Sequence, residues 1–360
     1  MAFFNGKPRG EDTGRVASPI YFDAAAAEPP HPMLAQWYSQ LCRELPYNPH
    51  GGTVYAEMAK REILTAEDSI RQIIGAEDAS IIWTSGVTEA LNLAMHSLGE
   101  IQVRPGSHPA LAEPAAKLKH TADNRRKAWA TSHVNSETGG ICKLESLRGE
   151  IGKGILLVDA AQSFCKIPIP WKAASIDLLV LSSRKIGGPA SVGALLVRKG
   201  LAMQPMMYGG GQQNGIRPGT MDAIGISLFA KVAREKAACM AENEEHVRLL
   251  NGLLWKGLGE SGIEFVRISP EDAYPGIAMF ALPGYEGAVL ARILADKEGI
   301  LLSSASACTA ESGAPSKSLI EVTGSEALAR SALRVSFTPG NSKDEIGLLI
   351  AALKRTLENY

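Results

Sequence analysis

Between about residue 18 and residue 240 the chain alternates short apolar runs with helical patterns, and this alternation limits the fold more than any other feature. The clearest runs cover residues 79–83, 154–158, 176–181 and 192–197. Each is short, rich in β-branched residues or leucine, and bounded by glycine or polar residues, so buried strands fit better than helices. Strands alternating with helices predict an α/β sheet domain. A long helical pattern over residues 224–253 bridges to a smaller α/β unit. There we expect strands near 276–280 and 333–337 and a helix near 287–294. A last helix starts on Ser342-Lys-Asp-Glu345, a capping-box pattern, and carries apolar residues to Leu353. Residues 1–17 are polar, rich in glycine and arginine, and read as an arm. The expected division is a large domain over 18–242 and a small domain made of 1–17 and 243–360.

Composition excludes several functions. With 37 basic and 38 acidic side chains the formal charge is −1, so no global field favours nucleic acid or an anionic membrane. No apolar run approaches the roughly eighteen residues of a membrane helix, and the first residues carry no secretory pattern. Cys42, Cys142, Cys165, Cys239 and Cys308 are odd in number, scattered and without a Cys-x-x-Cys pair. That argues against a disulfide framework or a zinc site and for a reducing cytoplasm, where a free thiol is either core filler or reactive.

Four segments place polar residues at strand ends, in an arrangement that suits a phosphorylated aromatic cofactor. Thr84-Ser-Gly-Val-Thr-Glu89 lies between an apolar run and a helical pattern. It is either an ordinary helix cap or a helix N-terminus whose free N–H groups hold a phosphate, with Gly86, Val87 and Thr88 at the contact. Asp159 directly follows a strand, where α/β sheets bind ligands. It either stabilises its own loop or pairs with a protonated ring nitrogen. Lys185 ends Leu181-Ser-Ser-Arg-Lys185 and is either a surface lysine or an amine for a Schiff base, with Ser182 and Arg184 suited to phosphate. The loop from Gly209 to Thr220 begins Gly-Gly-Gly and embeds Gln212 and Arg217. Such glycine density marks a flexible loop or close approach to a ligand.

Taken together these segments resemble the class V aminotransferase superfamily, and within it the NifS/IscS-type cysteine desulfurases. The resemblance is carried by Tyr21-Phe-Asp-Ala-Ala-Ala26, Tyr47-Asn-Pro49, the Thr-Ser-Gly-x-Thr-Glu run, and Ser107-His-Pro-Ala-Leu111. It continues through Val134-Asn-Ser-Glu-Thr-Gly139, the Asp159 and Lys185 segments, the triple-glycine loop, Leu302-Ser-Ser-Ala-Ser-Ala-Cys-Thr309 and Leu333-Arg-Val-Ser336. It implies a pyridoxal 5'-phosphate (PLP) enzyme of transferase fold type I, with a large mixed-sheet domain and a smaller α/β domain that carries a mobile cysteine loop. It further implies that L-cysteine becomes L-alanine while Cys308 takes the sulfur as a persulfide, for iron–sulfur cluster assembly or thiolation. Lys185 would anchor the cofactor and shuttle protons, Asp159 pair with the ring nitrogen, Gln162 bond the ring hydroxyl, and His108 stack on the ring. Gly86, Val87, Thr88, Ser182 and Arg184 would hold the phosphate. Thr220 would reach the phosphate of a neighbouring subunit, which implies a homodimer. Arg334 and Asn48 would grip the substrate carboxylate, and a sulfur-acceptor or scaffold protein would receive the product.

Three positions depart from the family pattern. Arg184 stands where a histidine is usual, Ser136 stands where a second asparagine is usual, and only 27 residues separate His108 from Ser136. That interval holds one helix near 110–118 and one strand near 128–133, so we expect a sheet one edge strand short. Other readings are a selenocysteine lyase or another class V enzyme, which has no use for Cys308, and a degenerate binding or regulatory subunit. A nicotinamide dehydrogenase is disfavoured because no Gly-x-Gly-x-x-Gly turn opens a helix after the first strand.

Overall fold

The computed structural model describes residues 19–117, 127–304 and 315–360. The chain enters through β1 (Ile20–Tyr21), then forms α1 (Leu34–Glu44) and α2 (Val54–Ile74). Thr53 starts α2 by accepting a hydrogen bond from Ala56 N–H at 3.2 Å, and Gly75, left-handed at φ 73°, ends it. There follow β2 (Ser80–Thr84), α3 (Val87–Leu98), β3 (Ile101–Val103), α4 (Pro109–Lys117), β4 (Ala128–Ser132), α5 (Leu144–Ile151), β5 (Ile155–Asp159), β6 (Leu178–Ser182) and β7 (Gly193–Val197).

These strands form one mixed sheet in the order β2-β7-β6-β5-β4-β3. Only β7 runs against its neighbours, so β2, β4, β5 and β6 all end on the same side of the sheet. The chemistry-bearing residues Thr84, Asp159 and Ser182 are the last residues of three of them. β5, β6 and β7 are buried at every position, which explains why they read as continuous apolar runs. One sheet face places Ile81, Trp83, Val158 and Leu181 against α2 and the later helix α6 (Ala223–Ala238). The other places Ile82, Leu157, Val180 and Leu195 against α3 and α4.

Among the described residues the sheet has six strands and stops at β3, three residues long. The interval where a further strand would lie falls almost entirely outside the described residues. At the opposite edge the side-chain amide of Gln213 stands in for a neighbouring strand. Its Oε1 accepts from Trp83 N–H at 2.6 Å while its Nε2 donates to Trp83 C=O at 3.0 Å. Gln213 adopts a left-handed backbone (φ 48°, ψ 45°) in the glycine-rich loop to do so.

The single helical pattern expected over 224–253 is two helices, α6 and α7 (Met240–Glu260), broken at Cys239. The two halves serve different cores. Ile226, Phe229 and Val232 of α6 pack on the large sheet, whereas Leu250, Leu254 and Leu258 of α7 face a second core. The break re-aims the apolar stripe, and no glycine or proline marks it in the sequence.

The second core surrounds β8 (Val266–Arg267), β9 (Ile277–Ala281), α8 (Gly287–Glu298), β10 (Ile300–Leu301), β11 (Ser303–Ser304), α9 (Lys317–Thr323), α10 (Glu326–Arg330), β12 (Ala332–Ser336) and α11 (Lys343–Glu358). Its four-stranded antiparallel sheet has the order β11-β12-β9-β8. The capping box of α11 forms as its four residues suggest, with reciprocal Ser342–Glu345 bonds. β1 pairs with β10, and Phe22 is buried in this second core. The N-terminal segment therefore reaches across to the smaller unit. Among the described residues no helix is long and apolar enough to cross a membrane.

Candidate active site

Where β5 ends, Asp159 is buried and its Oδ1 accepts from Ala161 N–H at 2.9 Å. Burial raises its carboxyl to about 6, against the opposing pull of that N–H and of Lys185. One turn on, the buried Gln162 donates from Nε2 to Ala25 C=O at 2.8 Å, while its buried Oε1 has no partner among the described residues. Lys185, in the short 3-10 turn after β6, donates from Nζ to the carbonyls of Ala25 and Ala26, each at 2.7 Å. Burial lowers its amine to about 8, with the charges of Lys166 and Arg334 adding to the fall and Asp159 opposing it. The Ala25 carbonyl is thus a shared fastening point for Gln162 and Lys185.

His108 precedes α4, and its Nδ1 accepts from Ala110 N–H at 3.1 Å. Burial, then the charges of Lys185 and Arg334, hold this imidazole below its ordinary value, so it is neutral near pH 7. Arg334 projects from β12 of the smaller unit. It donates to Asp23 Oδ1 at 2.8 Å, Ser303 Oγ at 3.0 Å and the carbonyl of Ser136 at 2.9 Å, and its buried Nε has no partner among the described residues.

At the start of α3, Gly86 has φ 155° and ψ −176° and lies against Gly193 of β7. A Cβ on Gly193 would come within 2.7 Å of the Gly86 backbone, so the two strand ends meet at a spacing only glycine permits. Thr88 and Arg184 are exposed, Val87 is half-buried and Ser182 is buried. Among the described residues Arg184 has no ion-pair partner. The exposed Thr220 lies on the glycine-rich loop, which Arg217 pins to α3 by donating to Glu89 at 2.8 Å.

Lys185, Asp159, Gln162, His108, Arg334 and Ser136 are therefore linked by bonds or by mutual charge. Asn48 is not: it is exposed, and its Oδ1 accepts from His50 N–H at 3.0 Å in its own turn. Cys308 lies outside the described residues. Sequence reasoning gave no role to Asp23 and Ser303, which share a 2.7 Å hydrogen bond and hold Arg334. The signal available was a carboxylate inside the Tyr21–Ala26 stretch, two residues past the end of β1.

These residues fit PLP. The unpaired Gln162 Oε1 calls for a hydrogen-bond donor such as a ring hydroxyl, and a buried carboxyl raised to about 6 gains from a cation such as a protonated ring nitrogen. The α3 N-terminus, Ser182 and the unpaired Arg184 supply phosphate donors. An amine lowered to about 8 keeps an appreciable neutral fraction for condensing with an aldehyde.

An open α/β sheet whose strand ends gather a lysine, an aspartate and an anion-binding helix start defines a PLP-dependent enzyme of fold type I. The sequence model described as "Aminotransferase class-V" matches residues 20–122 and 111–349. A protein named "Cysteine desulfurase, mitochondrial" from Eremothecium gossypii is 30% identical over 97% of this chain and 78% of its own. A solved NifS-like protein from Rickettsia africae superposes with a TM-score of 0.86 at 22% identity, covering 94% of this chain and 99% of that one. A structure titled "SspA in complex with cysteine" does so with a TM-score of 0.75 at 26% identity, over 90% of this chain and all of that one. The chain belongs to the class V aminotransferase family, on its cysteine desulfurase branch, whose members depend on PLP.

Proposed function

We propose that this enzyme takes sulfur from L-cysteine onto Cys308 and releases L-alanine. The observation that carries the reading is the fastening of Lys185 beside Asp159 and Arg334 in a chain of the cysteine desulfurase branch. The solved relative that holds cysteine supports the substrate.

Bound PLP supplies an electron sink for the pair released at the substrate Cα. The chain's own residues then divide the work. Asp159 would keep a proton on the ring nitrogen, Gln162 would accept from the ring hydroxyl, and neutral His108 would stack on the ring. Ser136, whose carbonyl accepts from Arg334, would line the cofactor site. The α3 start (Gly86, Val87, Thr88) holds the phosphate with Ser182 and Arg184. Arg334, braced by Asp23 and Ser303, binds the substrate carboxylate, a role the family resemblance also gives to Asn48. Lys185 removes the Cα proton and later returns one to carbon. The Cys308 thiolate attacks the substrate sulfur: a sulfur–sulfur bond forms, the Cβ–sulfur bond breaks, and its electron pair stays with carbon. Cys308 is left as a persulfide, and a sulfur-acceptor or scaffold protein receives it for iron–sulfur cluster assembly or thiolation in a reducing compartment such as the cytoplasm.

A homodimer with shared sites belongs to the same proposal. A groove of about 920 Å³ runs between α2, β2 and the glycine-rich loop. Beside it α2 leaves Val54, Tyr55 and Met58 exposed, which supports a second copy seated there with Thr220 directed to its phosphate. The separate cores support most of residues 18–242 as the large domain and 243–360 as the small one, except that β1 and Phe22 join the small core; residues 1–17 lie outside the described residues.

The test is release of alanine and sulfide from L-cysteine plus a reductant by PLP-loaded protein, with Cys308→Ala as control. Equimolar products that vanish in the control are expected. PLP capture without products would move the reading to another class V substrate, and no PLP capture would leave a binding or regulatory subunit.

A further inference from the structure

One short strip, residues 23–26, engages both Lys185 and Arg334. The carbonyls of Ala25 and Ala26 accept from the Lys185 amine, and the Asp23 carboxylate accepts from the Arg334 guanidinium. The strip is fixed in the fold. Asp23 forms a β-bridge to Ser336 of β12, and its own carbonyl accepts from Ala26 N–H at 3.0 Å and Ala27 N–H at 3.2 Å.

The donors of Arg334 can be counted. A guanidinium has five N–H groups. Both of those on Nη2 are used, one by Asp23 Oδ1 at 2.8 Å and one by Ser303 Oγ at 3.0 Å, while Nη1 donates to the Ser136 carbonyl at 2.9 Å. A forked grip on a carboxylate, whether end-on or side-on, includes Nη2. A substrate carboxylate therefore gains the fork only by taking a place that Asp23 or Ser303 holds. Ser303 stands opposite Arg334 in the β11–β12 pairing and moves with it. Asp23 belongs to another segment, its side chain is 21% exposed against 10% for the arginine, and on letting go it keeps the 2.7 Å bond from Ser303 Oγ. Asp23 is the partner that can yield.

We propose that Asp23 is a specificity-determining residue that stands in for the substrate carboxylate on Arg334 until an amino acid displaces it. Among the described residues it is the one carboxylate paired with this arginine, and a buried guanidinium without a counterion is strongly destabilising. The same pairing makes Asp23 a competitor. A ligand with a carboxylate but no amine has to evict it with one grip, whereas an amino acid has two. The proposal rests on the reading of Arg334 as the residue that binds the substrate carboxylate.

The experiment compares three probes on PLP-loaded protein: propionate (carboxylate only), ethylamine (amine only) and L-alanine (both). Dissociation constants come from saturation-transfer magnetic resonance titrations. Asp23→Asn keeps an oxygen acceptor of the same size and removes the charge. It should tighten propionate and L-alanine about five- to tenfold, the scale of one neighbouring like charge removed, and leave ethylamine unchanged. A merely structural role cannot tighten one ligand class and spare the other. Should Asp23→Asn fail to fold, Asp23→Ser is the second neutral variant and should act in the same direction. Unchanged or weaker propionate binding in a folded neutral variant overturns the proposal, as does an equal shift for ethylamine. Arg334→Gln separates the two readings. If it leaves L-alanine binding intact, Arg334 is not the carboxylate residue and both readings fall. If it abolishes that binding while Asp23→Asn tightens nothing, only the competition by Asp23 falls.

Discussion

Asp159 and Lys185 are held away from their ordinary ionisation in opposite senses by one cause, burial. For Asp159 the folded value of about 6 lies above the unfolded one of 3.8, so the folded state holds the proton more tightly. Its stabilising effect is complete below the unfolded value and is lost as pH rises through the folded one. The whole loss is about 3 kcal/mol, with about 1 kcal/mol of it between pH 5 and pH 7. In cofactor-free protein, chemical unfolding of wild type and Asp159→Asn should therefore diverge with rising pH, the variant gaining. A constant difference would contradict the burial of the carboxylate. Lys185→Ala should abolish the visible PLP absorbance while leaving the far-ultraviolet dichroism unchanged, because among the described residues the amine's direct hydrogen bonds are to the Ala25 and Ala26 carbonyls alone. At this scale the sequence was legible where a residue ends its own strand, as Asp159 and Ser182 do. Asp23 was not, since its partners Ser303 and Arg334 stand 280 and 311 positions away and only folding brings them close.

Elements were legible when their signal was local. The runs that became β2, β5, β6 and β7 are buried along most of their length, and the capping box of α11 needs four residues to declare itself. The break at Cys239 was illegible because both halves are good helix and only their tertiary partners differ. One element-level contact makes a sharp prediction. Gly193 opens β7 directly against Gly86, so Gly193→Ala has to displace the start of α3. A loss of about 1–3 kcal/mol in urea unfolding is expected, the range for overpacking a tight site. PLP affinity should fall with it, and full affinity in that variant would remove the α3 start from the phosphate site. Ser342→Ala, far from the site, should cost about 1 kcal/mol with PLP affinity unchanged.

Taken whole, the molecule is two cores joined by a few long-range fastenings. Tyr274 N–H donates to Gly139 C=O at 2.8 Å, and Arg334 of the small sheet reaches Asp23 and Ser136. The site thus takes its parts from both cores, and its completeness reports on their docking. The exposed stripe on α2 makes the matching prediction for assembly. Met58→Glu should convert a dimer to a monomer in sedimentation velocity and weaken PLP retention, because the loop carrying Thr220 then has no second copy to reach. A variant that stays dimeric would move the interface elsewhere. A dimer is the one scale at which sequence offered only resemblance, since pairing leaves no periodicity in a single chain.

The amide of Gln213 has a consequence for solubility. An edge strand left bare invites a second sheet to dock on it, and β2 is such an edge. By occupying both backbone groups of Trp83, one side chain acts as a stopper near the C-terminal end of that edge, and it sits on the loop that also carries Thr220. Anything that pulls this loop away, such as partial unfolding or a poorly fitting subunit, exposes the strand at the same moment. Loss of the glycine-rich loop should therefore be seen as turbidity on standing, together with the weaker PLP retention expected once Thr220 is withdrawn.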